Sequence, residues 1–261
     1  MSHNVLVNGT GYKISGGNTL MGGTGYKVSN GRTLIGGTGY NIEFSATAND
    51  LKVGETAFID INGTPVEFIV VHRGNPSNLS VSYDSCSGVW LLSKDVLETR
   101  RWNNTSGAII NYSGSSIHSY LNSTFFNKID NNVRNIIMEV KLPADGTSSA
   151  VLNTKIFLLS AREVNNTYEN NGSGVAKDGR CLSYFNETDE AIANNKRRAY
   201  LNASSCGWWT RSTVLTSAYT YYVATDGAMY NSGSYTNFFG VRPAMVIPYT
   251  AIIDDSGKII G

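Results

Sequence analysis

The thiols, imidazoles and clustered acids of this chain are the groups that could do chemistry, and their spacing supports little of it. Cys86, Cys181 and Cys206 are an odd set at wide separation, which specifies neither a disulfide framework nor a metal knuckle. All three read as free thiols. His3, His72 and His118 are too scattered for a zinc site or a nucleophile–base pair, and His118, beside Ile117 on an expected helix, reads as a satisfied interfacial side chain. Asp95 and Glu98, one turn apart and followed by Arg100 and Arg101, read as charge pairing on a helix surface. An acid pair assembled from distant segments stays open. The expectation is therefore no enzyme, no metal and no cofactor.

Binding chemistry is concentrated near the carboxyl end. Between Ser212 and Phe239, Asp226 is the single residue of the Asp, Glu, Lys or Arg kind, while Tyr219, Tyr221, Tyr222, Tyr230, Tyr235, Phe238 and Phe239 crowd in among Ser, Thr, Asn, Gly and Ala. Tyrosine offers large, stiff, amphipathic contact area at small rotamer cost, and Ser, Gly and Asn add adaptable hydrogen bonding. Two readings stay open for these rings: a contact surface, or the inward face of strands whose polar partners point outward.

Bulk composition narrows the partners. Lys plus Arg number 21 and Asp plus Glu 20, a net charge of +1, so nothing attracts a phosphate backbone and nucleic acid is an unexpected partner. Charged residues are 16% of the chain, below the roughly 25% of ordinary domains; Asn, Ser and Thr take over the work of solvation. No apolar run approaches about 18 residues, so no membrane span is expected, and the first residues lack the basic-then-apolar pattern of an export signal.

The elements that must position these residues fall into two textures. Gly9-Thr10-Gly11-Tyr12-Lys13-Ile14 returns at Gly23 and again at Gly37, a period of 14 residues. Each unit reads as strand, turn (Gly16-Gly17-Asn18, then Asn30-Gly31-Arg32) and strand. A unit so small cannot bury its own apolar face, so residues 1–44 are expected to form a β-repeat stalk that oligomerises or attaches; a Gly-rich leader without fixed order is the other reading. Residues 45–50 read as a linker, 51–250 as the main domain and 251–261 as a tail. In the main domain a hairpin is expected from Val53 to Val71 with its turn at Asn62-Gly63-Thr64-Pro65, then a strand at Val89–Leu92. A short helix is expected behind Ser93 as N-cap, over Lys94–Glu98. Helices follow at about Ser116–Phe126 and Asn131–Val140, the latter closed by Pro143, with a strand over Lys155–Leu159. Asn165–Gly179 reads as a surface loop, and Lys196-Arg197-Arg198 as a solvated helix end. Trp208 and Trp209 sit on successive strand positions and so face opposite ways, one to the core and one to the binding face. Arg242 is expected to satisfy a buried acid or loop carbonyls, and Asp226-Gly227 to make a tight turn.

Gly207-Trp208-Trp209-Thr210-Arg211-Ser212, Tyr222-Val223-Ala224-Thr225-Asp226-Gly227 and Gly240-Val241-Arg242-Pro243-Ala244 together resemble the C-terminal signature of a phage and prophage domain of Gram-positive gut bacteria. That domain is similar to the C-type lectin fold of variable proteins from diversity-generating retroelements, which is related in fold to formylglycine-generating enzymes. The resemblance covers about Leu51 to Pro248, and the Gly-Thr-Gly-Tyr leader also resembles one found on such phage proteins. It implies an α+β, C-type lectin-like domain behind a short β-repeat segment, with a variable region at about 206–243. It further implies a tail receptor-binding adhesin whose contact surface is Trp209, Thr213, Leu215, Ser217, Tyr219, Tyr221, Tyr230, Ser232, Ser234, Tyr235, Asn237 and Phe238. The implied partners are a bacterial cell-surface protein or glycan and, through the repeats, a phage tail or other virion component. A homo-oligomer, a trimer by expectation, would be assembled in the bacterial cytoplasm and carried on the virion. The related enzyme class needs a close cysteine pair, whereas Cys181 and Cys206 stand 25 positions apart. Calcium-dependent sugar binding needs a Glu-Pro-Asn motif that is missing, and Trp102-Asn103-Asn104 is only a partial likeness of its companion. The alternatives are an enzyme acting on a surface polysaccharide and a structural virion component without ligand.

Overall fold

The computed structural model describes residues 3–7, 10–14, 18–21, 24–27, 32–35, 38–41 and 46–261, apart from 78–80, 106–110, 146–147, 172–173 and 215–216. Two compact units divide the chain, Met1–Ala46 and Thr47–Gly261.

The first unit carries antiparallel hairpins that pair His3–Val7 with Thr10–Ile14, Asn18–Met21 with Thr24–Lys27, and Arg32–Ile35 with Thr38–Asn41. One hairpin falls to each repeat, but its phase differs from the expected one. Thr19-Leu20-Met21 pairs with the Thr-Gly-Tyr-Lys stretch that follows it, closing between Met21 and Thr24. Gly16-Gly17 and Asn30-Gly31, where turns were expected, lie outside the described residues.

The second unit has α+β architecture. Its main elements are β1 (Thr56–Ile61), β2 (Thr64–Arg73), β3 (Val89–Ser93), β4 (Glu98–Arg100), α1 (Ser116–Tyr120), α2 (Asn131–Ile136), β5 (Val140–Pro143) and β6 (Ala150–Thr154). They continue with α3 (Asn166–Asn171), α4 (Glu190–Arg197), β7 (Trp208–Thr213), β8 (Tyr219–Val223), β9 (Met229–Gly233), β10 (Phe239–Val241) and β11 (Ala244–Ile247). One antiparallel sheet has the order β11-β3-β2-β1 and a second the order β4-β10-β7-β8-β9, in which only β7 and β10 run parallel. Strands β3 and β11 are buried along their whole length, which is why Val-Trp-Leu-Leu and Ala-Met-Val-Ile are apolar runs rather than alternating ones. Trp90 anchors this core, edge-on to Tyr83 and Phe157 at 5.7 and 5.5 Å, with its indole N–H shared between the carbonyls of Gly74 and Cys86.

The β1–β2 hairpin turns on Asn62 and Gly63 alone, both at positive φ, so Thr64 and Pro65 already belong to β2. That is the two-residue turn an Asn-Gly pair favours. Ile117, Tyr120, Leu121 and Phe125 form the buried face of the expected helix, which runs as α1 and continues through a π-helical turn at Leu121–Phe125.

Five expectations are corrected. Lys94–Glu98 is not helical: the amides of Ser93, Lys94, Val96 and Leu97 donate to carbonyls of Pro243, Glu67, Tyr200 and Val241, and Glu98 enters β4 opposite Val241. Asp95 and Glu98 therefore share no helix surface; Asp95 accepts from the Tyr200 amide. The expected Asn131–Val140 helix stops at Ile136, because the Met138 amide donates to Val246 and Val140 enters β5. Lys155–Leu159 forms only one bridge, Phe157 to Ala244. Side chains satisfy its backbone instead: Asn122 Oδ1 accepts from Lys155 and Ile156, and the Tyr112 hydroxyl accepts from Leu158. The Asn165–Gly179 segment contains α3 and is pinned inward. Arg162 holds the carbonyls of Glu169, Val175 and Ala176, and Asp178 is 1% exposed. Arg197 is no solvated helix end either; it is buried and binds the carbonyls of Gly227 and Val164.

Candidate functional site

Register across the five-stranded sheet puts one row of side chains on one face, since residues directly opposite in adjacent strands point the same way. Arg100 stands opposite Phe239, Trp209 opposite Tyr222, and Tyr222 opposite Tyr230. The rings touch along the row: Phe239 meets Trp209 edge-on at 4.7 Å and stacks on Tyr222 at 4.0 Å, and Tyr230 lies 6.2 Å from Tyr222. Trp209 is the floor of this face, fully buried, its indole N–H held by the Arg100 carbonyl at 2.8 Å. Phe239 and Tyr222 are half-buried above it, and Tyr230 is 54% exposed. On the reverse face Trp208 is buried in the core, donating to the Arg197 carbonyl beneath the Arg242 guanidinium. The two tryptophans do face opposite ways.

A register slip makes the inner face possible. Trp209 pairs with Tyr222 and Thr213 with Thr220, so β7 carries two more residues than β8 between those pairs. A bulge of this kind breaks strict alternation and sends both Arg211 and Ser212 inward, where they are 1% and 0% exposed. Arg211 binds Glu163 through both terminal nitrogens and also donates to the carbonyls of Leu158, Pro143 and Asp178. Ser212 donates to the Asp178 carboxylate and accepts from the Ala161 amide. Burial works against the Arg211 charge, but Glu163 and Asp178 hold its pKa well above the ordinary guanidinium value. Burial pushes Asp178 up to about 6, against the pull of Arg211 and Ser212. This cluster was not identified from the sequence. Its signal was Arg211 itself, a charge mid-strand between aromatic and β-branched residues, which has to find a buried acid; nothing in the spacing says that the acid is Glu163.

The expected contact residues divide by exposure. Tyr219, Tyr230 and Phe238 are 51%, 54% and 59% exposed, Asn237 is exposed, and Ser217, Ser232 and Tyr235 are half-buried. Trp209, Thr213, Tyr221 and Ser234 are buried and are withdrawn from the contact surface. Tyr221 alternates inward and packs with Ala161 and Val175, its ring 5.8 Å from Tyr168, so for that ring the inward-strand reading holds. Leu215 lies outside the described residues.

At the β4 edge of this face opens a cleft of about 230 Å³ lined by Glu98, Thr99, Arg100, Arg101, Asn104, Ser116, Ile117 and Phe238. Local sequence hides this cleft, because the residues leading into β4 are helix-compatible. Arg242 satisfies carbonyls as expected, those of Ser93 and Lys94, and burial lowers its pKa to about 10. Trp102-Asn103 serves the fold: Trp102 donates to the Thr210 carbonyl and the buried Asn103 amide oxygen caps Ser116. His72 Nδ1 lies 2.8 Å from Ser183 Oγ, a contact with the look of a nucleophile and its base. The same nitrogen accepts from the Ser183 amide, so the imidazole caps a turn. The thiols are free, and burial raises Cys86 and Cys181 to about 12, which keeps them protonated. Among the described residues no three His, Cys, Asp or Glu side chains converge as a metal site would require, and no helix is long and apolar enough to cross a membrane.

Fold and face together define an α+β module that presents an aromatic sheet surface. A family model described as a domain of unknown function, DUF6273, matches residues 87–249, and the chain belongs to that family. The matched stretch contains the five-stranded sheet, the Arg211 cluster and the cleft, and begins after the β1–β2 hairpin. No curated protein and no solved structure gives a match.

Proposed function

We propose that this protein is a non-enzymatic, ligand-binding adhesin of a phage tail or related particle, with a C-type lectin-like scaffold whose sheet face contacts a bacterial cell-surface molecule. The observation that carries the reading is the aromatic row. A buried tryptophan supports half-buried Tyr222 and Phe239, Tyr230 projects from the end of the row, and Phe238 flanks it. Rings anchored from below and open above gain contact area on binding without losing much rotamer freedom. The neutral Ser, Thr and Asn residues around them cost little to desolvate compared with charges. The palette of the 206–243 segment also supports diversification of this surface, on the resemblance of its flanking motifs to variable proteins. The repeat unit is read as the attachment segment, and assembly as a trimer would add avidity to weak single sites.

The test is adsorption of fluorescently labelled protein to whole cells of Gram-positive gut bacteria, followed by flow cytometry. Tyr230→Ala and Phe238→Ala are expected to abolish adsorption while leaving the circular dichroism spectrum unchanged. Undiminished adsorption by both would remove the sheet face from the function, and a light-scattering mass equal to one chain would reject the oligomer.

A further inference from the structure

Resting on the sheet-face reading above, we infer that the cleft at the β4 edge is an anion subsite, and that the ligand crossing this face is a carboxylated saccharide whose acid group Arg101 receives. Three observations converge on it. Arg101 is exposed and makes no hydrogen bond or ion pair among the described residues; its guanidinium rests 5.0 Å from the centre of the Phe238 ring. Most other cations of this unit are spent. Arg211 and Arg242 are consumed inside the fold, and Lys94, Lys141, Lys196 and Lys258 face carboxylates.

The local charge balance is positive. Among the described residues Glu98 is the single acid lining the cleft, and it is already engaged by the Tyr120 hydroxyl, by Arg100 at 3.2 Å and by Lys128 at 3.9 Å. Two cations, Arg100 and Arg101, line the cleft against that one acid, an excess of one positive charge, and Lys128 reaches Glu98 from outside the lining. Arg100 is pinned from two sides, by the Glu98 carboxylate and by the Tyr120 ring, over which its guanidinium lies at 3.5 Å. A guanidinium parked on an aromatic ring keeps its planar fork of donors, which matches a carboxylate in two parallel bonds.

The neighbouring surface selects the rest of the ligand. Phe238 lines the cleft, and its chain neighbour Phe239 begins the aromatic row that ends at Tyr230. The apolar C–H face of a pyranose ring can lie on such rings, and its hydroxyls can meet Thr99, Asn104 and Ser116. A polyol phosphate offers the anion without the ring face. A plain carboxylate offers too little to span from cleft to row.

The experiment is calorimetric titration of the full chain with oligogalacturonate, the neutral galacto-oligosaccharide of the same length, and oligo(glycerol phosphate). Oligogalacturonate is expected to bind at least about tenfold more tightly than the neutral sugar, with the difference shrinking at high salt. Arg101→Met should erase that difference while leaving the circular dichroism spectrum unchanged. Arg101→Lys should recover part of it, since the charge returns without the fork. Equal affinity for acidic and neutral sugars, full affinity in Arg101→Met, preference for glycerol phosphate, or no binding of oligogalacturonate each overturns the carboxylate assignment and leaves the sheet face to its own cell-adsorption test. If acid preference persists while Tyr230→Ala and Phe238→Ala adsorb to cells normally, the cleft stands and the sheet-face reading falls.

Discussion

The Arg211 guanidinium grips the Glu163 carboxylate through two parallel bonds, Nη1 to Oε2 at 2.5 Å and Nη2 to Oε1 at 2.6 Å, and neither side chain has any exposure to solvent. Glu163 in turn accepts from the Tyr83 hydroxyl and the Ser160 amide. One ion pair therefore ties β7 to segments that are far apart in the chain, and it does so directly behind the bulge that shapes the aromatic face.

Removing one partner should be costly, because the other would be left charged in a dry site. Arg211→Met or Glu163→Leu alone is expected to lower the unfolding free energy by about 3–5 kcal/mol, read from urea denaturation. The double replacement should recover much of that loss, since it leaves no orphaned charge. Single variants within about 1 kcal/mol of the parent would mean that solvent reaches the pair.

Asp178 gives the cluster a pH signature. Burial raises its pKa from 3.8 to about 6, so between those values the folded protein binds more protons than the unfolded chain. The contribution of this group to stability is then greatest below pH 4, declines as pH rises to about 6, and is level above that. Asp178→Asn removes the decline. Relative to the parent, the variant should gain on the order of 3 kcal/mol between pH 4 and pH 7 in parallel urea titrations. A constant offset across that range would contradict the assignment.

How far the sequence reveals these features depends on where each residue's partners lie. Local patterns survive folding: the Asn62-Gly63 turn, the apolar run of β3, and the 3.6-residue spacing of Ile117, Tyr120 and Leu121 are all read correctly, because each is decided within a few residues. Errors come where distant partners take the backbone. Lys94–Glu98 has helix-compatible residues, yet its amides are claimed by Glu67, Tyr200 and Val241. Lys155–Leu159 has strand-like residues, yet Asn122 and Tyr112 replace a neighbouring strand. The aromatic face was half legible. The ring-rich segment is plain in the composition, but which rings point outward depends on how β8, β9 and β10 pair with their neighbours, which no local pattern announces. The cleft was illegible because β4 joins a sheet whose other members lie more than a hundred residues later.

Gly227 is one position where no side chain fits. Its φ is +88°, and a Cβ there would stand 2.0 Å from the Asn194 carbonyl oxygen in α4. The Gly227 carbonyl also receives Arg197 Nε at 2.8 Å, so the turn cannot retreat without releasing a buried guanidinium. Gly227→Ala is expected to cost more than the roughly 1–3 kcal/mol of backbone strain alone, visible as a lowered Tm in scanning calorimetry. An unchanged Tm would show that the β8–β9 turn and α4 pack less closely than described.

Trp209 and Tyr230 belong to one row but should respond oppositely to truncation, and the contrast tests the division between floor and surface. Trp209 is fully buried with its N–H satisfied, so Trp209→Ala empties a large cavity and is expected to cost about 3–5 kcal/mol. Tyr230 has more than half its surface in water, so Tyr230→Ala should stay within about 0.5 kcal/mol of the parent while removing contact area from the face. Urea unfolding read beside cell adsorption separates the two effects. Trp209→Ala should lose adsorption and stability together, because Phe239 and Tyr222 lose their support. Tyr230→Ala should lose adsorption with its stability intact. Were Tyr230→Ala to unfold the protein as readily as Trp209→Ala, the ring would be structural, and the outermost member of the row could not be offered to a ligand.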